Sequence, residues 1–308
     1  MVPDQGIAGF VQTESAPAKI NLALHVVGQR ADGYHLLDML VTFTRFGDRI
    51  GIASGDVDQF TVSGRFAQQL DASGAAEDNL VLRARDLLRA ALRRNGVSTG
   101  PAHLHLEKNL PVASGIGGGS ADAAATLRGL LRHWQASLPA NELNDLGLQL
   151  GADVPMCLAG RPLIARGIGE EITQLEELPA FPIVLVNPLV GVSTPDIFRR
   201  LATKDNPSLG LRGAVTGRSG WLAALEGMRN DLEDPARTVC PQIDAARAEL
   251  ARTDAQLVRM SGSGATCFGL YETIDAAQRA AEALKKSRPD WFIVATESYE
   301  GRDHHGTA

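Results

Sequence analysis

The 308-residue sequence predicts an α+β fold in two domains, 1–175 and 176–308, and three observations carry that prediction. Ala18–Val27 alternates apolar and polar side chains. Apolar residues recur at helical spacing over Asp78–Asn95 and again behind a glycine run at 115–119. The C-terminal third reads strand, loop, strand, helix, strand.

In AKINLALHVV, Ile20, Leu22, Leu24 and Val26 fall on one side and Lys19, Asn21, Ala23 and His25 on the other, the pattern of a strand with one buried face. GQRADGYH, Gly28–His35, breaks it with an Asp-Gly turn signal. Strands are expected at Leu40–Arg45, Arg49–Ala53, Gln59–Val62 and His103–Leu106. The helix over Asp78–Asn95 presents Leu80, Arg83, Leu87, Leu88 and Leu92 as its stripe, and the next runs through Ala123, Leu127, Leu130 and Trp134. A third occupies Asn141–Leu150 and stops at Gly151. Glu170–Pro182 turns acidic and proline-containing, which suits a crossing between domains, and Ile183–Asn187 resumes as a strand. Ala202–Gly220 is rich in turn formers and reads as a mobile surface loop. Strands at Gln256–Met260, Thr266–Tyr271 and Trp291–Thr296 surround a helix over Ile274–Ser287.

Composition narrows the function. With 44% hydrophobic and 21% charged residues the chain is an ordinary globular protein. A net charge of −6 without any basic block argues against a nucleic-acid or anionic-membrane surface, so phosphate would have to be held by backbone amides and a few side chains. Cys157, Cys240 and Cys267 are odd in number and far apart, giving neither a disulfide framework nor metal-ligand spacing. MVPDQGIAGFVQTES has no basic start and no apolar core, and no stretch reaches the roughly 18 apolar residues of a membrane span. A cytoplasmic protein, monomer or homodimer, acting on small molecules is expected.

The most informative stretch is PVASGIGGGSADAAATLRGLLRHW, Pro111–Trp134. Gly115, Gly117, Gly118 and Gly119 let the chain turn through positive φ and aim several N–H groups into one concavity, and a helix start behind them adds unpaired donors. Together these suit phosphate, although a plain surface loop before a helix has the same composition. A Walker loop needs Gly-Lys-Ser/Thr, and no lysine precedes Ser120; a dinucleotide fingerprint should follow a strand directly, and Glu107–Pro111 intervenes.

PVASGIGGGSADAAATL resembles the P-x3-G-L/I-G-G-G-S-x-A-A signature of the galactokinase, homoserine kinase, mevalonate kinase and phosphomevalonate kinase (GHMP) superfamily, whose loop wraps the ATP phosphates. SAPAKINLALHVVGQRADGYHLLDML, Ser15–Leu40, resembles that family's first motif, and VRMSGSGATCFGLY, Val258–Tyr271, its third. The resemblance spans the chain nearly end to end. It implies an N-terminal ribosomal-protein-S5-domain-2-like domain with ATP binding and catalysis, and a C-terminal ferredoxin-like domain. The implied ATP-binding residues are Pro111, Ala113, Gly115, Ile116, Gly117, Gly118, Gly119 and Ser120, with Gly262, Ser263 and Gly264 in the third-motif loop.

PAKINL followed by GQRADGYH, and GADVP at Gly151–Pro155, is similar to the branch that phosphorylates a cytidine-diphosphate-linked methylerythritol in non-mevalonate isoprenoid synthesis. A lone lysine is ordinarily solvated, but Lys19 and Asn21 lie two apart on one strand face, roughly 6–7 Å apart at Cα. In the resemblance Lys19 stabilises the transferring phosphate and Asn21 orients the acceptor. Asp153, otherwise a turn aspartate bonding its own backbone, becomes the general base. Tyr34 stacks on the cytosine, His35 bonds its edge and Phe198 closes the opposite side, though Phe198 also suits a core position. His25, His103 and His105 read as structural or exposed, and the HHGTA end as a tail without a metal partner. ATP is implied as co-substrate with Mg2+, whose side-chain ligands the spacing does not assign beyond Ser120. The rivals are a homoserine or mevalonate kinase, whose acceptor has no cytosine to grip, and a non-catalytic relative that keeps the loops but loses Lys19 or Asp153.

Overall fold

A computed structural model describes residues 6–72, 79–211 and 215–302 of the chain. After a single 3-10 turn at Gly6–Gly9, two long strands, β1 (Gln12–Gln29) and β2 (His35–Ser54), pair with each other. There follow β3 (Gln59–Ser63), α1 (Ala67–Ala72), α2 (Leu80–Arg94), β4 (Ala102–Glu107), α3 (Gly118–His133), α4 (Ala140–Leu150) and α5 (Val154–Ala159). The rest comprises β5 (Leu163–Gly167), β6 (Glu171–Gln174), β7 (Pro182–Asn187), α6 (Thr194–Arg199), α7 (Gly217–Glu226), α8 (Glu233–Val239), α9 (Gln242–Ala251), β8 (Leu257–Met260), β9 (Cys267–Leu270), α10 (Ile274–Ser287) and β10 (Phe292–Glu297). Two compact units draw on interleaved stretches: Met1–Ala18, Gly47–Val112 and Gly117–Ala159 in one, Lys19–Phe46, Ala113–Ile116 and Gly160–Ala308 in the other.

In the first unit the second half of β2 runs antiparallel to β4, with Arg49 opposite Glu107, and β3 lies parallel to β4 on its far side. Gly47 separates the two strands read there from sequence, yet β2 runs through it. A Cβ at Gly47 would fall 2.6 Å from Pro17 Cα, so the glycine admits the close approach of β1 and does not end a strand. Asn79 starts α2 by accepting the Val81 N–H at 2.9 Å, whereas Asp78 lies outside the described residues. The buried stripe of α2 is Val81, Ala84, Leu88, Ala91 and Leu92, so the predicted stripe starts one residue early and overlooks two alanines. Gly129 on α3 has no room for a side chain: a Cβ would overlap Ile52 Cδ1 and lie 2.8 Å from Glu14 Cγ. Small residues thus let α3 press onto the strands. α4 ends before Gly151 as expected, but the glycine has φ 163°, extended backbone, so a left-handed cap does not stop the helix.

In the second unit the first half of β2 pairs antiparallel with β5, Leu37 opposite Gly167, and β5 pairs with β6. A separate antiparallel sheet runs in the order β10-β7-β9-β8, packed against α9 and α10. Every residue of β7 and β9 is buried. The expected free loop at 202–220 is not free: Leu209 is buried, its N–H donates to Asp38 Oδ2 at 3.0 Å, and 217–220 form the first turn of α7. Residues 212–214 of that stretch, like the HHGTA end, lie outside the described residues. No described helix is long and apolar enough to cross a membrane.

The alternation of β1 does not mark a solvated face. All residues from Ala16 to Val26 are buried, Lys19, Asn21 and His25 included. A polar row can be buried only where other segments answer its hydrogen bonds, and those segments build the site described next.

Gly129→Ala is expected to destabilise the protein by about 1–3 kcal/mol, through overpacking of α3 on Ile52 and Glu14. Urea unfolding followed by circular dichroism checks this, and an unchanged midpoint would mean that α3 can lift away freely.

Candidate active site

The Ser261 hydroxyl joins all three glycine-bearing motifs within the second unit. It accepts the Asn21 N–H from β1 at 3.1 Å and donates to Gly115 O of the glycine run at 3.2 Å. Two residues earlier in β1, the Lys19 N–H donates to Ile116 O at 2.9 Å. Thr266 adds a second tie, its Oγ1 donating to Ser114 O at 2.6 Å while accepting from Asn187 Nδ2 at 2.8 Å. The loops approach backbone to backbone. A Cβ on Gly115 would fall 2.6 Å from Gly264 O and 2.7 Å from Ser261 O, and one on Gly262 would fall 2.7 Å from Gly115 O. Gly115, Gly262 and Gly264 also hold φ of 75°, 56° and 92°. Both features require glycine.

Neighbouring side chains hold this junction from behind. Asn230 donates to Met260 O and Gly262 O at 2.9 and 2.8 Å and accepts the Leu232 N–H at 3.0 Å. Arg259 spends its guanidinium on the carbonyls of Leu22, Leu225 and Met228, at 2.5, 2.8 and 2.7 Å. Burial brings Arg259 down to about 10, so it remains a cation at neutral pH, held by three carbonyl oxygens.

The remainder of the glycine run belongs to the first unit. Gly117, at φ 64°, is the residue from which α3 winds, and Ala121 N–H donates back to Gly117 O at 2.8 Å. Gly118, Gly119 and Ser120 are therefore the first helical turn, whose N–H groups precede the intrahelical ladder. Positive φ is not what Gly118 supplies, contrary to the expectation for the whole run. A Cβ there would lie 3.1 Å from Lys108 Nζ. That ammonium sits between Asp48 Oδ2 at 2.5 Å and Asp122 Oδ2 at 2.7 Å, all three buried beneath the start of α3. Asp48 Oδ1 also accepts the N–H groups of Asn109 and Leu110, at 2.6 and 2.7 Å. Burial, then the neighbouring Asp48, push Asp122 well above the carboxylate range. Burial works against the Lys108 charge, but Asp122 and Asp48 override it and hold the amine above its usual value. Asp153, half-buried in the first unit, is the turn residue from which α5 winds, its carbonyl accepting the Cys157 N–H at 3.1 Å.

In the second unit His35 opens β2 and Phe198 lies on α6. Their rings stack with centroids 4.9 Å apart and planes 26° from parallel, so Phe198 is not a core residue. Thr194 at the start of α6 shares a 2.7 Å hydrogen bond with Ser263 of the third motif. Burial, then Lys204, lower the His35 pKa, which keeps the imidazole neutral at physiological pH. Two buried polar atoms here have no hydrogen-bond partner in the structure, His35 Nε2 and Asn21 Oδ1; the Asn21 amide nitrogen lies 3.4 Å from Met39 Sδ. Tyr34 is 61% exposed.

Sequence reasoning missed Ser261, Thr266, Asn187, Asn230 and Lys108, ordinary polar residues whose partners are remote in the chain. The GSG pattern around Ser261 was the one available signal. His25 and His105 are each 1% exposed, and His105 bonds Thr61 and Ser63 at 2.8 Å each, a structural role as expected.

Comparison with known proteins adds independent findings. The family model described as GHMP kinases N terminal domain matches residues 79–161, and that described as GHMP kinases C terminal matches 212–290. The chain is 63% identical to the 4-diphosphocytidyl-2-C-methyl-D-erythritol kinase of Sinorhizobium medicae, over 97% of this chain and 98% of that one. It is 62% identical to the protein of the same name in Rhizobium meliloti, over 95% and 97%. A crystal structure of 4-(cytidine 5'-diphospho)-2C-methyl-D-erythritol kinase superposes with a TM-score of 0.75 at 33% identity, covering 93% of this chain and 99% of the other. The mevalonate kinase of L. major shares the fold, with a TM-score of 0.65 at 17% identity over 94% of this chain and 96% of that one.

Ser261→Ala is expected to cost about 1–3 kcal/mol, because the buried Asn21 N–H loses its acceptor. Equilibrium denaturation reads the loss, and a shift below a few tenths of a kcal/mol would mean that another group takes up that N–H.

Proposed function

The chain belongs to the GHMP kinases and, among them, to the 4-diphosphocytidyl-2-C-methyl-D-erythritol kinases, and from that membership we propose its reaction, its co-substrate and the roles of its residues. It is a kinase of isoprenoid synthesis. In the proposed reaction the γ-phosphoryl group of ATP passes to the 2-hydroxyl of 4-diphosphocytidyl-2-C-methyl-D-erythritol. Residues 1–175 carry ATP binding and catalysis and 176–308 form the C-terminal half. The observation that carries the acceptor assignment is the His35–Phe198 stack, whose neutral imidazole keeps a buried nitrogen without a partner. A flat aromatic wall beside an unanswered ring nitrogen suits a planar base with hydrogen-bonding edges.

The roles follow from what each group can supply. The N–H groups of Gly118, Gly119 and Ser120 and the positive end of α3 receive phosphate oxygens, with Pro111, Ala113, Gly115, Ile116 and Gly117 shaping the loop. The third-motif residues Gly262 and Gly264 hold its first half in place, and Ser263 between them ties that loop to Thr194 of α6. Tyr34 and Phe198 flank the cytosine, and His35 bonds its edge. Asn21, with an unpartnered buried Oδ1, accepts a hydrogen bond from an acceptor hydroxyl. Asp153 takes the proton of the 2-hydroxyl as its oxygen attacks the γ-phosphorus, and ADP departs with the bridging oxygen. Lys19 stabilises the charge of the phosphoryl group in flight.

Mg2+ fits the donor set as an ion delivered with ATP. Ser120 offers a half-buried hydroxyl beside the amides of the first α3 turn, and no metal-holding cluster of His, Cys, Asp and Glu occurs among the described residues. When bound, the ion compensates charge on the β and γ oxygens. ADP release with 4-diphosphocytidyl-2-C-methyl-D-erythritol, mevalonate and homoserine as acceptors tests the whole reading. Turnover is expected only with the first, and only without excess chelator; comparable turnover of mevalonate would replace the assignment.

Asp153→Asn keeps the shape but removes the proton acceptor, so single-turnover phosphorylation is expected to slow by roughly 10²–10⁴ with both substrates still bound. Near-normal chemistry in that variant would leave proton removal to another group.

A further inference from the structure

His25 lies outside every motif role assigned above, yet it is 1% exposed and both ring nitrogens are engaged. The Arg229 N–H donates to His25 Nε2 at 3.1 Å, which fixes the tautomer: Nδ1 carries the hydrogen and donates to Pro207 O at 3.0 Å. One neutral imidazole therefore ties β1 to two segments about twenty residues apart in the chain. The first, residues 201–209, continues directly from α6, which carries Phe198.

That segment is strung across the ends of β1 and β2, the strands that flank the turn bearing Tyr34 and His35. The Asn206 N–H and Nδ2 both reach Val26 O at 3.1 Å, Lys204 Nζ donates to Gln29 Oε1 at 3.2 Å, and the Leu209 N–H donates to Asp38 Oδ2 at 3.0 Å. Arg229 Nη2 adds a 2.7 Å bond to the same Pro207 carbonyl. Leu201 is buried at its start, but packing along the first half is incomplete. A cavity of about 440 Å³ lies there, lined by Leu201, Thr203 and Asn206 and facing Arg229, Asn230 and Glu233. The segment is held by hydrogen bonds at several points, buried at Leu209–Asp38 and partly buried at Pro207–His25.

We propose that His25 is a positioning residue for the acceptor: by clasping Pro207 and the Arg229 backbone it fixes residues 201–209 and, through them, the placement of Phe198 against His35. The proposal rests on the acceptor reading given above. The charged groups about the ring are Arg229 and Asp231, both on the turn after α7; the 201–209 segment presents carbonyl oxygens of Pro207 and Ser208 to it, while its own Lys204 is spent on Gln29. Protonation at Nε2 would abolish the acceptor for Arg229 N–H and set a second cation beside the Arg229 guanidinium. Burial, then Arg229, lower the His25 pKa below 6.5. The sign follows: the clasp is intact above pH 6.5 and is lost as pH falls through the depressed folded value.

The test compares wild type, His25→Phe and Asn206→Ala by hydrogen exchange of the peptides covering 201–211, together with KM for acceptor and for ATP. His25→Phe fills the ring volume without either hydrogen bond. It is expected to speed exchange across 201–211 and raise the acceptor KM about tenfold, the equivalent of about 1.4 kcal/mol, with kcat and the ATP KM within about twofold. Asn206→Ala, at the surface of the same segment, is expected to give the same split more weakly, and it decides the matter should His25→Phe not fold. Faster exchange with an unchanged acceptor KM would make the clasp structural only and overturn the proposal, as would unchanged exchange. A wild-type enzyme that does not phosphorylate the cytidylylated acceptor would bring down the acceptor reading itself, an outcome visible before any variant is made.

Discussion

The Ser261 hydroxyl is the joint on which the second unit's part of the site depends. It takes an N–H from the first motif and gives its hydrogen to a carbonyl of the second, while belonging to the third. β1 carries a buried polar row behind its apolar one, the glycine run is bare backbone at its turns, and the third motif is a tight Gly-Ser-Gly-Ala corner. Their mutual hydrogen bonds convert three permissive segments into one fixed surface. Glycine is required where backbones approach within 2.6–2.8 Å of a virtual Cβ, so the same residues that look like freedom in the sequence act as close packing in the fold.

Electrostatics reinforces the arrangement by subtraction. Two lysines are buried among the described residues, and Lys108 is committed to Asp48 and Asp122. Arg259 is committed to three backbone carbonyls. These cations hold the frame and are not available to anions. In a protein of net charge −6 the phosphate site proposed above therefore rests on amide groups and a helix terminus, whose strength comes from orientation more than from charge excess.

Much of this was legible in the sequence, for identifiable reasons. α10 matches its expected span of Ile274–Ser287 because Thr273 accepts the Ala276 N–H and a strong apolar stripe follows. β7 and β10 stood out as apolar runs. α7, α8 and α9 went unread: α8 contains Pro235, and α9 buries only Ile243, Ala246 and Leu250 in an alanine-rich stretch, too faint a stripe to register. The motif residues were readable because their types are unusual together. Ser261, Asn230 and His25 were not, since each acts through partners 30 to 240 residues away; only Ser261 has a local signal, the Gly-Ser-Gly that follows it. The alternation of β1 was legible as a strand with one buried face, whereas both of its faces are buried.

The reach of those contacts bears on how the chain is made. β1 leaves the ribosome early, yet Asn21 waits for Ser261, Leu22 for Arg259 and Val26 for Asp231, separations of 240, 237 and 205 residues. At about 5–20 residues per second the delay is on the order of ten to fifty seconds. Until then the stretch of β1 from Asn21 to Val26 lacks these partners, although β2, Ile116 and α3, which meet other parts of the strand, are already made. The nascent chain thus carries these unanswered backbone groups through most of its own translation, and the last third of the message supplies their partners.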